Sequence, residues 1–303
     1  MTTIRKKYHP FHRLKKNKFF SELILPLLDR PIYARLHGVA WPVRVRLMHH
    51  LSYVLDNRIV EPGIAALFLA IIKLYRPKVF WDVGAQVGFY SWLVLSRNAQ
   101  ARAVLFEPDP ENVRLLSQTI ARSGLDRAEI VPCAVSDREE EAPFLVDALS
   151  GATGTLRVDD PSFIARQYGF HQRRILVRTV ALDGVIGTLP SPELIKIDVE
   201  GAEERVFAGG WSMIRRFRPI LIFESPGAAA SALVASLEGE GYFVCAADEP
   251  GTPPEEAANF LGLPPHLRER HSELLALWRA ELEAWLGPAR RRSRGEQAST
   301  RRP

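Results

Sequence analysis

The first residues able to do chemistry together are an aspartate, a pair of glycines and a distant glutamate. Val79-Phe80-Trp81-Asp82-Val83-Gly84-Ala85-Gln86-Val87-Gly88 reads as a strand closing on a glycine-rich turn, with a helix to follow. Glycines at 84 and 88 let backbone approach a ligand closely, and the helix start offers unpaired N–H groups to a polar ligand tail. The spacing is GxxxG. It is neither the GxGxxG of a dinucleotide fold nor a P-loop, and no lysine follows to hold phosphate. A tight turn with no ligand would need the same glycines, so this signal gains weight only from the second. Phe106-Glu107-Pro108 ends the next apolar run, its acid nineteen residues beyond Gly88. A carboxylate there is where doubly wound folds bind the ribose hydroxyls of a nucleoside.

These groups need strands and helices to hold them. Lys78 to Val83, Ala103 to Glu107 and Ala128 to Ala134 read as strands, separated by helices over Tyr90 to Arg97 and Pro110 to Ser123. Leu194 to Asp198 and Pro219 to Glu224 are further strands ending in carboxylates, with a helix from Ala202 to Phe217 between them. Strands alternating with helices of this length imply βαβ units and a parallel sheet. A helix over Ala228 to Gly239, strands at Tyr242 to Ala246 and Asn259 to Leu263, and an amphipathic helix over 265–287 close the domain. Ahead of the sheet, a helical pattern runs from Pro62 to about Tyr75 and stops before Pro77. Residues 18–60 mix apolar groups with Arg and His, as in Phe19-Phe20, Leu23-Ile24-Leu25 and Val43 to Tyr53, and are expected to form a helical extension. The stretch 138–193 holds two expected strands, Ala142 to Asp147 and Arg174 to Leu182, around the Gly/Thr-rich Ser150 to Thr155. It has too few apolar residues for its own core and reads as an insertion or lid. The expected division is a tail and extension over 1–60, a catalytic domain over 61–287 and a basic tail over 288–303.

Composition excludes several classes. With 303 residues, 47% hydrophobic and 25% charged, the chain is an ordinary globular one and neither disordered nor collagen-like. Cys133 and Cys245 stand alone in apolar runs, which argues against a disulfide framework or a structural zinc site. The formal charge of +5 conceals an uneven distribution: the first twenty residues hold seven Lys or Arg and no acid, and residues 288–303 hold six Arg and one Glu. The body between them is therefore acidic, and a specific nucleic-acid face on the domain is not indicated; the tails are solvated or touch anionic surfaces. The longest apolar run, Gly63 to Ile72, is too short to span a bilayer. No secretory signal is read at the start, so a cytoplasmic protein is expected.

At this point the sequence resembles the FkbM-type methyltransferases, which use S-adenosylmethionine. The likeness runs from about Glu61 to Pro264. It rests on Asp82-Val83-Gly84-Ala85 with Gly88, on Phe106-Glu107-Pro108 with Asn112, and on Ala134-Val135-Ser136-Asp137. Leu182-Asp183, Lys196-Ile197-Asp198-Val199-Glu200-Gly201-Ala202-Glu203, Arg218-Pro219 leading to Glu224, and Asn259 to Pro264 complete it. The resemblance implies a class I, Rossmann-like methyltransferase fold, a three-layer sandwich around a mainly parallel seven-stranded sheet. By position it puts Asp82, Gly84, Ala85 and Gly88 around the methionine moiety, Glu107 at the ribose and Asp137 on the adenine side. Gln86 and Thr119 stand where the family usually has Asn.

An electrophilic sulfonium needs alignment with its acceptor and exclusion of water more than covalent help. If the acceptor is an alcohol, a base must take its proton during transfer, and Asp198, Glu200 and Glu224 at the strand ends are the candidates. The same three could instead hold a divalent cation such as magnesium, and the sequence does not separate the two. Glu203 is read as a helix-start charge. His9, His12, His37, His49-His50, His171, His266 and His271 are scattered; only His171, in the expected lid, is placed to reach substrate, and a surface role is the favoured reading for it. The expected activity is methylation of a hydroxyl on a sugar, glycan or secondary metabolite. An oxidoreductase binding NAD or a nucleotide sugar, and a noncatalytic scaffold of the same fold, are the competing readings; the missing GxGxxG argues against the first.

Overall fold

The structure is a computed structural model that describes residues 25–147, 154–158, 172–225 and 228–287. Both basic tails, Phe19-Phe20, Leu23-Ile24, the larger part of Ser150 to Thr155, and His9, His12 and His171 lie outside the described residues.

The central sheet forms where β-branched and aromatic residues cluster in runs short enough to be buried on both faces. Its strands are β3 (Val79–Val83), β4 (Arg102–Phe106), β5 (Ala128–Val131), β10 (Leu194–Ile197), β11 (Ile220–Glu224), β12 (Phe243–Ala246) and β13 (Asn259–Leu263). They lie in the order β12-β13-β11-β10-β3-β4-β5, and β13 alone runs antiparallel to its neighbours. This is the class I methyltransferase arrangement. The two-residue period of the strands divides the core in two. Phe80, Leu105, Leu194 and Ile222 pack against α2 (Pro62–Tyr75), α3 (Phe89–Arg97) and the closing helix α8 (His271–Leu286). Trp81, Val104, Ile195 and Phe223 pack on the opposite face, with α5 (Glu203–Ala208), α6 (Trp211–Phe217) and α7 (Ala228–Gly239). Helix α2 is buried along nine of its fourteen residues because it is sandwiched between sheet and α8, where Trp278 donates its indole N–H to the Gly63 carbonyl at 2.7 Å.

Three elements differ from their sequence reading. The extension expected to be helical is mixed: β1 (Pro31–Arg35) and β2 (Pro42–Arg46) pair as an antiparallel hairpin before the short helix α1 (Leu51–Asp56). The pattern Pro42-Val43-Arg44-Val45-Arg46 buries both valines and leaves the arginine positions half-buried, a strand period that outweighs any helical one. The hairpin docks on α4 (Pro110–Ser123), where the Arg44 amide donates to the buried Thr119 hydroxyl at 2.9 Å. The expected strand Ala128 to Ala134 breaks at Pro132-Cys133, so that β5 stays in the main sheet and β6 (Ala134–Val135) joins another. The expected helix Ala202 to Phe217 divides at Gly209-Gly210 into α5 and α6; a Cβ at Gly209 would stand 2.2 Å from the Ser136 carbonyl.

The second sheet has the order β6-β9-β7-β8, built from β7 (Glu140–Asp147), β8 (Gly154–Thr155) and β9 (Gln172–Val180). Leu182, expected to end β9, instead opens a 3-10 turn over Leu182–Val185. Phe144, Val146, Leu156 and Val177 form a small apolar cluster that reaches Ala134 and Ala202 of the main domain. Sharing that cluster is how a segment too poor in apolar residues for its own core is held.

Candidate active site

Strand order reverses between β3 and β10, and a cleft opens at the carboxyl ends of those strands, where open α/β sheets bind ligands. Counted out to its open mouth and with the solvent there included, its space is ≈ 900 Å³.

One end is organised by Glu107. Its carboxylate is buried at the tip of β4, where Oε2 accepts the Gln86 amide at 2.7 Å and Oε1 accepts the Asp109 amide at 2.9 Å and the Asn112 side-chain amide at 3.3 Å. Burial pushes this carboxyl up to about 7, against the pull of those donors. The turn it receives is held in place by Gly84 and Ala85, whose amides both donate to the Phe106 carbonyl. Gly84 has φ +82, and a Cβ there would lie 1.9 Å from the Asp198 carbonyl oxygen, so this position requires glycine. Gly88, also at positive φ, faces the Trp92 ring and Leu116 and does not line the cleft. Cys133, Ala134 and Val135 add an apolar wall, and Phe144, Val146 and Leu156 of the second sheet add another. Burial raises the Cys133 thiol to about 12, so it is a wall and not a nucleophile.

The other end is a charge cluster. The Lys196 side chain, buried in β10, donates to Asp198 Oδ2 at 2.7 Å and lies 5.0 Å from the centre of the Tyr90 ring. Its ammonium is raised above the ordinary range: burial opposes the charge, but Asp198, Asp82 and Glu61 outweigh it. Asp82, fully buried and hydrogen-bonded by the Ser91 hydroxyl at 2.7 Å, is pushed up by burial against the pull of Lys196. Tyr90 donates its hydroxyl to Glu61 Oε2 at 2.8 Å. Three carboxylates thus surround one ammonium.

Of the residues singled out from sequence, Asp82, Gly84, Ala85, Glu107, Asp198 and Glu200 line this cleft. Glu224 ends the neighbouring strand and is not part of the lining; Asp137 is exposed, accepts the Ser136 hydroxyl at 2.9 Å and stands outside as well. Glu203 is buried, accepts the Val199 and Gly201 amides with Oε1, and is pushed up to about 7 by burial, so it ties down the loop after β10. Lys196, Tyr53, Glu61 and Tyr90 were missed as site residues. A lone lysine inside Leu194-Ile195-Lys196-Ile197 was the available signal, because a buried ammonium demands carboxylate partners.

The methyltransferase FkbM domain family matches residues 82–243. The chain belongs to that family. The methyltransferase is 25% identical over 185 residues to the hexuronic acid methyltransferase AglP of Haloferax volcanii, covering 59% of this chain and 68% of that protein. It is 26% identical over 205 residues to the 31-O-demethyl-FK506 methyltransferase FkbM of Streptomyces tacrolimicus, covering 59% and 78%. Among solved structures it is similar to methyltransferase FkbM from Methylobacillus flagellatus KT, at 14% identity and a TM-score of 0.44, covering 68% of this chain and 60% of that one. At that degree of overlap the class I assignment rests on the strand order and the family match. No helix among the described residues is long and apolar enough to cross a membrane.

Proposed function

We propose that this methyltransferase uses S-adenosylmethionine and acts on a hydroxyl of a sugar, glycan or secondary metabolite, with a catalytic domain over 61–287. The observation that carries the donor assignment is the Glu107 carboxylate, fixed by three donors at the tip of the second parallel strand beside the Gly84 turn. The cleft's donor set suits this cofactor. Glu107 can accept from ribose hydroxyls, the wall of Phe106, Cys133, Ala134 and Val135 can hold a purine, and the excess of carboxylate over ammonium around Lys196 suits a cationic amino-acid portion. When bound, the cofactor supplies an electrophilic methyl group on a sulfonium.

The protein's own work is to position and to take a proton. A hydroxyl is too weak an acid to ionise near neutral pH, so its proton must pass to a base as the new C–O bond forms. Asp198 is our choice, because it lines the cleft at the end of β10 with Oδ2 fixed by Lys196. Glu200 shares its loop. Among the described residues no group of three His, Cys, Asp or Glu is arranged to hold a metal ion, and Lys196 supplies the local positive charge, which favours direct base catalysis over a cation held by Asp198, Glu200 and Glu224. One relative is named for a hexuronic acid and the other for a 31-O-demethyl compound, and together the names support an oxygen acceptor on a sugar or secondary metabolite.

The test is transfer of isotope-labelled methyl from S-adenosylmethionine to a panel of glycosides, uronic acids, glycosyl phosphates and polyketide alcohols. Label recovered as a methyl ether supports the reading; label only on nitrogen or carbon overturns the acceptor class.

A further inference from the structure

Glu61 reaches the cleft from ahead of the stretch that matches the family. It stands at the N-cap of α2, where Ser, Thr, Asp or Asn would turn a side-chain oxygen back onto the first helical amides. Its side chain makes no such bond, and its carbonyl starts the helix by accepting the Ala65 amide at 3.0 Å. The backbone is left-handed as well, with φ 44 and ψ 57, a conformation unfavourable for a residue that carries a Cβ. Among the described residues, five other than glycine have positive φ. Arg76 and Arg218 end α2 and α6, where a left-handed cap is ordinary. The other three, Glu61, Gln86 and Glu200, all line the cleft.

Unfavourable backbone persists where surrounding structure fixes it, and at Glu61 the fixing group is Tyr90. Tyr90 sits in the first turn of α3 with its ring stacked on Phe68 of α2 at 4.7 Å, and its hydroxyl donates to Glu61 Oε2 at 2.8 Å. Burial, then the Glu61 carboxylate, hold the phenol well above the ordinary tyrosine range, so it remains a donor. The starts of two helices are thereby joined through a carboxylate that lines the cleft instead of capping its own helix. The three carboxylates around Lys196 are not equivalent. Asp82 is 1% exposed and lies beneath the cleft surface, and Asp198 is the base chosen above, with Oδ2 fixed by Lys196. Glu61 is half-buried, and the phenol on its Oε2 fixes it without cancelling its charge.

We propose that Glu61 receives the α-ammonium of the methyl donor, with Tyr90 as the residue that positions it. This deepens the S-adenosylmethionine reading and rests on it. The amino-acid end of the donor then lies against the starts of α2 and α3 and its ribose against Glu107, so separate parts of the chain select the two ends of one ligand. A charge-assisted hydrogen bond from the ammonium to a carboxylate already held in place costs little reorganisation. A nucleoside that keeps the thioether but lacks the ammonium forgoes the Glu61 contact. S-adenosylhomocysteine keeps the ammonium and has no sulfonium, so its binding separates this contact from the electrophilic centre.

The test is calorimetric titration of the full chain with three ligands: S-adenosylhomocysteine, its decarboxylated analogue, which keeps the ammonium, and methylthioadenosine, which has neither ammonium nor carboxylate. Glu61→Gln keeps the shape of the side chain and an oxygen for the Tyr90 hydroxyl. It should weaken the two ammonium-bearing ligands about tenfold or more and leave methylthioadenosine unchanged. Tyr90→Phe keeps the stacked ring and the carboxylate but releases the latter, and should weaken the same two ligands by a smaller factor. Circular dichroism and melting temperature show that each variant is folded. Equal weakening of all three ligands would make Glu61 a merely structural residue, and unaltered affinities in Glu61→Gln would remove it from the donor. Weakening of S-adenosylhomocysteine alone would put the donor's carboxylate, not its ammonium, at this end; each of these results overturns the proposal. Tyr90→Phe without effect would end its positioning role. If the unmodified chain binds none of the three, the donor assignment itself fails, so the two failures are distinguishable.

Discussion

The backbone amide of Gln86 donates to Oε2 of Glu107 at 2.7 Å, fastening the loop after the first parallel strand to the acid that ends the second. Because the loop reaches the carboxylate through its backbone, replacing Glu107 acts on the loop itself as well as on the ribose contact proposed above. Glu107→Gln keeps one acceptor oxygen, for either the Gln86 amide now on Oε2 or the Asp109 amide now on Oε1, and removes the charge. It should weaken donor binding less than Glu107→Ala, which strands those two buried N–H groups at a cost of about 1–3 kcal/mol each. Calorimetric affinities for S-adenosylhomocysteine, ranked wild type, Gln, Ala, check this.

Gly84 and Gly124 both sit at positive φ but in different surroundings. A Cβ at Gly84 would collide with the Asp198 carbonyl at 1.9 Å, whereas one at Gly124, the C-terminal cap of α4, meets nothing within 4 Å. Gly124→Ala should cost only the left-handed backbone penalty, about 1–2 kcal/mol. Gly84→Ala must also displace the junction of β3 and β10. It should lower the melting temperature further and abolish donor binding, as thermal unfolding with and without S-adenosylhomocysteine would show.

Lys196 is the buried ammonium among three carboxylates. Lys196→Met removes the only positive charge lining the cleft among the described residues and should destabilise the fold by about 3–5 kcal/mol, the usual result of breaking a buried ion pair from one side. The double variant Lys196→Met with Asp198→Asn should recover part of that loss, and chemical denaturation of the three proteins measures the coupling. Full additivity would mean that the pair does not act as a unit.

Glu203 gives a pH signature. Its carboxyl is raised from 4.5 to about 7 by burial, so the folded protein keeps a proton that the unfolded chain releases. Its contribution is complete below the unfolded value and is lost as pH rises from about 4.5 to about 7. Glu203→Gln still accepts the Gly201 amide without carrying charge. Relative to this variant, the wild type should lose stability across that window, by on the order of 3 kcal/mol at most, and then run parallel to it. Denaturant titrations at several pH values show whether the difference has this slope.

Much of the half of the cleft proposed for the donor was legible because it is local. Asp82, Gly84 and Glu107 sit at strand ends whose apolar runs and glycine stop announce themselves within a few residues, and Asn259–Leu263 was read with its observed limits for the same reason. What escaped depends on distant packing. Tyr53 of α1 and Glu61 at the start of α2 line the cleft from outside the main sheet, and the hairpin ahead of them rests on a five-residue alternation that is easily lost among arginines and helix-compatible spacings. Lys196 was quoted within its motif but not as a site residue, because its carboxylate partners are 114 and 135 residues away as well as two. Gly209-Gly210 and Pro132-Cys133 were visible breakers, and the continuous elements read through them show how strongly flanking periodicity competes with local punctuation.

The central claim is that the Gly84 turn and Glu107 together grip an adenosine-containing methyl donor. The most direct measurement is calorimetric titration of the full chain with S-adenosylhomocysteine, repeated with Glu107→Ala shown to be folded by circular dichroism. One saturable site per chain, weakened about tenfold or more in the variant, is the expected result. Affinity that survives the substitution unchanged, or no binding to the wild type, would contradict the account.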